Sequence, residues 1–185
     1  MYLILLCLLA VAVASDVHSR RIPNLLVGVG IASGLLLQGI VPHPAIPSSF
    51  GSAQGVVFAI TGIATGFAAL FPLYLLRATG AGDVKLMMMV GAFLGPLQTL
   101  GVVVLTFAAG GVLAIAMALW QRSLHQLVFN LRFMLTTSAV RAAGGTAPRF
   151  EPLQQTAGRM PYAIAIAAGT LMQLTLIRSG GWALS

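Results

Sequence analysis

An all-α bundle lying within a lipid bilayer is the fold class this sequence predicts, on three observations. Hydrophobic residues make up 58% of the 185 residues and charged residues only 7%, against about 25% charged residues in a soluble domain. The mean hydropathy is +0.97. The apolar residues also gather into runs approaching the roughly 20 residues that a spanning helix needs, separated by short polar or proline-rich turns. This length admits one membrane domain, 1–185, with little left for a separate soluble one.

The first run, MYLILLCLLAVAVAS, ends at Asp16. Ala12-Val13-Ala14 has the small-x-small form of a signal-peptide cleavage site, but Arg20 and Arg21 follow the apolar run rather than precede it, so the run reads as a retained first helix. A polar turn, VHSRR, leads to a second run over 22–41, with Pro23 suited to a first helical turn. The three prolines of PHPAIPSSF make 42–50 a loop, and a third run covers 51–76. A turn over 77–83 precedes a fourth run over 84–96, and a fifth occupies 98–120. Leu124, Leu127, Val128, Leu131, Met134, Leu135 and Ser138 share one helical face, with Arg122, His125, Arg132 and Arg141 mostly off it. That pattern predicts a basic amphipathic helix on the inner leaflet within 121–160. A sixth run, 161–177, completes the chain before Arg178.

Charge orients these six spans. Arg20, Arg21, Arg77, Lys85, Arg122, Arg132, Arg141, Arg149 and Arg159 fall on one side, and only Arg178 falls on the other. The basic side is the cytoplasmic one, which leaves both termini outside. The net charge of +7 therefore reads as topology and contact with anionic lipid. No basic run with interleaved aromatics suggests nucleic acid. One cysteine, Cys7, excludes an intrachain disulfide framework, and His18, His43 and His125 are too scattered for a metal cluster. No metal or other cofactor is expected.

The chain has three acidic residues, Asp16, Asp83 and Glu151, and two of them end apolar runs. An acid at membrane depth is expensive, which makes Asp16 and Asp83 candidates for function. A helix ending at Asp16 and one starting at Asp83 are both short for the hydrocarbon layer, at about 22 Å and about 20 Å of rise against roughly 30 Å. Both carboxyls then lie at one depth below the inner surface. Two such acids can share a proton: the carboxylate takes a proton from an attacking water while the acid protonates the amide carbonyl oxygen. Taken singly, Asp16 reads as the partner of Arg20 and Asp83 as an N-cap-like residue. Gly80 and Gly82 offer close backbone approach and unusual dihedrals beside Asp83. Lys85 is either a cytoplasmic anchor or a charge that tunes the pair. Gly62 with Gly66 and Gly91 with Gly95 are packing pairs, and Met87-Met88-Met89 reads as packing too.

Gly80-Ala81-Gly82-Asp83-Val84-Lys85-Leu86 after a span, with an upstream Asp16 followed by Ile22-Pro23-Asn24, resembles the GxGD aspartyl proteases of the prepilin peptidase type. Met160-Pro161-Tyr162-Ala163 with Ile166 and Gly169 is similar to that family's last-helix motif. The resemblance implies an endopeptidase that removes the basic leader of type IV prepilins or pseudopilins at the cytoplasmic face, with Asp16 and Asp83 catalytic. Larger members carry a domain with paired cysteines and N-methylate the new terminus. This chain lacks it and is more similar to the compact enzymes of Tad-type (Flp) pilus systems, which implies cleavage without methylation. Helix dipoles assign Asp83, at a helix start, as base and Asp16, at a helix end, as acid. The competing reading is a small proton-coupled transporter or channel component with Asp16 and Asp83 as proton carriers.

Overall fold

The computed structural model describes residues 1–40, 51–76, 78–120, 136 and 162–180. Five helices account for the secondary structure among them: α1 (Tyr2–Ser19), α2 (Asn24–Ile40), α3 (Gly51–Leu75), α4 (Ala81–Trp120) and α5 (Tyr162–Ser179). α1, α3, α4 and α5 are long and apolar enough to cross a membrane, and α2 is a shorter apolar helix. With Leu25 81% and Trp120 91% exposed among many large apolar side chains on the outside, the chain is an integral membrane protein whose natural solvent is lipid. The expected amphipathic helix in 121–160 lies outside the described residues apart from Thr136.

α4 contains the fourth and fifth apolar runs and is broken at Gly95, whose φ of 75° and ψ of −179° belong to glycine alone. The break is a reversal. Gly110, on the second segment, lies against the ring of Tyr162 at the start of α5, and Tyr162 lies within electrostatic reach of Asp83 on the first segment. A straight helix would hold positions 83 and 110 about 40 Å apart. The second segment therefore runs back alongside the first, and Pro96, which cannot donate to the preceding turn, starts it.

In lipid, burying apolar surface gives helices little reason to associate, so close packing and interhelical hydrogen bonds must hold the bundle. α3 packs antiparallel to the first segment of α4 through glycines: Gly62 faces Gly91, Gly66 faces the Met87 carbonyl, and Gly95 faces Phe58. α2 runs parallel to that segment, with Gly30 against Met89 and Gly34 against Ala92. Gln38 Nε2 donates to the Phe93 carbonyl at 2.8 Å near the reversal. The second segment packs antiparallel to α5, and here the contact is polar. Gln173 Nε2 donates to Gln98 Oε1 at 2.6 Å, Gly101 lies under Gln173, and Gly169 lies against Thr106. α1 turns Leu5, Leu9 and Ala12 inward at helical spacing. Met87 and Met89 are fully buried in the core, as the packing reading of the methionine run expects.

Three boundaries differ from the sequence expectation. α1 does not stop at Asp16 but continues to Ser19, where Arg20 turns left-handed at φ 52° and its N–H donates to the Asp16 carbonyl at 2.8 Å. Ser19 supports the extra turn by donating to the Ser15 carbonyl at 2.7 Å, a local bond that satisfies the polar side chain within the helix. Pro23 lies just before α2 rather than in its first turn, its carbonyl accepting from Val27 N–H at 3.4 Å. α4 starts at Ala81, ahead of the fourth apolar run.

Candidate active site

Asp83 is the third residue of α4, with Gly80 as the N-cap. A helix start has N–H groups without partners, and a glycine cap has no side chain to serve them. Asp83 compensates from inside the helix: its Oδ2 accepts from Gly80 N–H at 3.0 Å while its own N–H donates to the Gly80 carbonyl at 3.1 Å. This is the acid half of a capping box, so Asp83 is not itself the N-cap that the sequence suggested. The bond fixes the carboxylate at the positive end of α4.

Gly80 and Gly82 act through space rather than through unusual dihedrals, since Gly95 and Gly180 are the glycines with positive φ among the described residues. A Cβ on Gly80 would lie 3.3 Å from Asp83 Oδ2 and crowd the carboxylate. Gly82 lies against the Ile22 side chain, so GAGD packs directly on the IPN segment. A second tie joins the same two segments: Lys85 Nζ donates to Asn24 Oδ1 at 2.9 Å, and Lys85 is exposed. The lysine ammonium is thus held by an amide. Asn24 was quoted in the IPN motif without a role, because its partner is distant in sequence.

Asp16 reaches a helix N-terminus of its own. Its Oδ2 accepts from the N–H of Ala163, the second residue of α5, at 3.3 Å. Arg20, expected as its ion-pair partner, meets it through the backbone; among the described residues no side-chain pair joins them. Both aspartates are half-buried, and the charge of Asp16 reaches Asp83 across the site. Each carboxylate therefore faces the start of a helix, which removes the dipole argument for separating base from acid. That argument treated Asp16 as subject only to the end of α1, and the start of α5 was invisible to it.

Tyr162 joins the group as the first residue of α5. It is half-buried between the Asp16 contact and the second segment of α4, and it feels the charge of Asp83. Sequence reasoning noted it only within the last-helix motif. The single available signal was an aromatic residue bearing a hydroxyl at the entry to a span. Cys7 is exposed on α1, and His18 is exposed near the end of that helix. Among the described residues no group of three or more His, Cys, Asp or Glu is placed to hold a metal ion.

The family model for the type IV leader peptidases matches residues 3–115, more than half of the chain. The chain belongs to the type IV leader peptidase family. No curated protein and no solved structure matches it. The matched region contains Asp16, the IPN segment, GAGDVKL and the reversal at Gly95. Membership makes this membrane protein a peptidase and implies prepilin-like substrates.

Proposed function

We propose that this type IV leader peptidase is an intramembrane aspartyl endopeptidase that removes the basic leader of Flp-type prepilins at the cytoplasmic face of a bacterial inner membrane. Asp16 and Asp83 form its catalytic pair. One observation carries the reading: two of the three acids in the chain, from helices far apart in sequence, lie at the same end of the bundle within electrostatic range of each other, each against the start of a helix. One carboxyl takes a proton from the attacking water. The other gives a proton to the amide carbonyl oxygen, and the resulting diol collapses as the first carboxyl passes its proton to the leaving nitrogen and the second takes one back from a hydroxyl, which restores the pair. Gly80, Gly82 and Lys85 shape the site around Asp83 and bind the strand to be cut.

The same reading takes the two segments of α4 as separate spans, which gives six in one domain of 185 residues with both termini outside. The reversal at Gly95 and the segregation of basic residues support that topology. N-methylation of the new terminus is not part of the activity. A proton carrier for transport would sit best near mid-membrane with access from both faces; here both acids share one end.

The test is cleavage of a full-length prepilin-like substrate by the enzyme in proteoliposomes, alongside proton flux in the same vesicles. Leader release by the native protein, lost in both Asp16→Asn and Asp83→Asn, is the expected result. Flux without cleavage, or full cleavage by both variants, overturns it.

A further inference from the structure

We infer that Tyr162 is a third catalytic residue, whose phenolic O–H donates a hydrogen bond to the carbonyl oxygen of the scissile amide as that oxygen gains negative charge. The inference rests on the aspartyl reading above and adds a group to it.

Three observations converge on this side chain. Tyr162 opens α5, and the next residue, Ala163, is the one whose N–H reaches Asp16 Oδ2 at 3.3 Å. The phenol ring is laid against Gly110, which has no side chain, with a Cβ built there only 3.6 Å from ring atom Cε2. That contact holds the ring on the face of the second segment of α4, beside the entry of α5. The side chain also lies near enough to Asp83 to feel its charge. Tyr162 thus stands next to the residue that contacts Asp16 and within electrostatic range of Asp83, while belonging to neither helix that carries them.

Among the described residues no hydrogen-bond partner of the hydroxyl is found, and its oxygen is not among the fully buried unpartnered atoms, so it is accessible to a partner from outside the chain. A tyrosine in such a place ordinarily finds one. The substrate carbonyl supplies it in this reading. An amide cut between two carboxyls develops charge on its oxygen, and two acids alone offer only one donor, which is consumed when its proton is transferred. A neutral phenol adds a donor that keeps its proton throughout, so no further bond is made or broken. Preorganised donors of this kind act where charge develops and need no rearrangement at the moment of reaction. Ring packing and hydroxyl chemistry are separable, because Tyr162→Phe keeps the ring on Gly110 and removes the donor alone.

The experiment measures cleavage of a full-length prepilin-like substrate in proteoliposomes by the native enzyme, Tyr162→Phe, Asp16→Asn and Asp83→Asn, each checked by thermal unfolding in detergent. The expected result for Tyr162→Phe is a loss in kcat of about 10², with KM within about 2-fold and unchanged unfolding, because the donor acts only in the transition state. Position 162 is also filled by amber suppression with 4-aminophenylalanine, which keeps a donor on the ring, and with 4-methoxyphenylalanine, which does not. Cleavage by the first and loss in the second supports the donor role even where the phenylalanine variant accumulates poorly. Unchanged kcat in Tyr162→Phe, a rise in KM alone, or equal activity of the two para-substituted variants overturns it. Cleavage by the two Asn variants would locate the failure in the aspartyl reading instead.

Discussion

The two sides of α4 are built by different physics, and each delivers one half of the site. Against α3, the first segment is held by glycine on glycine, with Gly62 and Gly91 so close that neither tolerates a side chain. Against α5, the second segment is held by Gln98, Gln173 and buried threonines, with the amide pair at 2.6 Å. The dry seam sets the position of Asp83. The polar seam sets the register of α5, and hence whether Ala163 N–H meets Asp16. Close packing in lipid is strong but unforgiving of added volume, whereas interhelical hydrogen bonds are weaker, averaging about 0.6 kcal/mol each. The polar seam also carries two buried atoms without a partner among the described residues, Gln173 Oε1 and the Thr106 hydroxyl, which makes it the less stable of the two.

The largest expected effect leaves both seams intact. Asp16→Asn or Asp83→Asn lowers prepilin cleavage by about 10³-fold or more while the unfolding temperature in detergent changes little; comparable activity in either variant would break the assignment of one acid to each side. Next comes the dry seam. Gly91→Val forces a side chain into the Gly62 carbonyl and costs about 3 kcal/mol or more, read as reduced membrane accumulation and a lowered unfolding temperature, with activity falling in proportion to folded protein. Normal stability in that variant means the seam is looser than its geometry.

The polar seam gives a smaller and partly reversible effect. Gln173→Leu strands Gln98 and costs about 1 kcal/mol, and adding Gln98→Leu recovers most of it, because two apolar partners leave nothing unpaired. A double-mutant cycle on thermal unfolding reads the coupling; strict additivity would show that the amide pair contributes no register. Smallest is Lys85→Met, which frees Asn24 and loosens GAGDVKL from the IPN segment. Its expected result is a several-fold rise in KM with stability shifted by less than about 1 kcal/mol. A kcat loss as deep as that of the Asn variants would instead put Lys85 in the chemistry.

Much of this was readable before any coordinates. Apolar runs located the helices that the structure describes, and the scarcity of acids drew attention to Asp16 and Asp83. The boundary between the fourth and fifth runs was readable, but Gly95, read as a packing residue, is the break itself: glycine supplies the backbone angles and Pro96 refuses the preceding hydrogen bond. What escaped was every pairing across space. The extra turn after Asp16 escaped because Ser19 can satisfy itself on Ser15, so a polar residue did not end the helix. The Lys85–Asn24 tie escaped because an amide at a helix start looks like local capping. The role of α5 escaped because a helix dipole acts on whatever lies before it, and period and charge do not say that Asp16 lies there.

The reversal at Gly95 also makes α4 a lever. Asp83 stands on one arm, about 18 Å from the pivot at helical rise, and the seam with α5 stands on the other. At that arm length a swing of about 5° at the pivot carries Asp83 through roughly 1.6 Å, and an error of about 1 Å in the placement of reacting groups can cost about 10² in rate. On the aspartyl reading proposed above, the opening angle of the hairpin is a coordinate of the reaction, set at the end of the bundle away from the acids by Phe58 lying where a side chain on Gly95 would be.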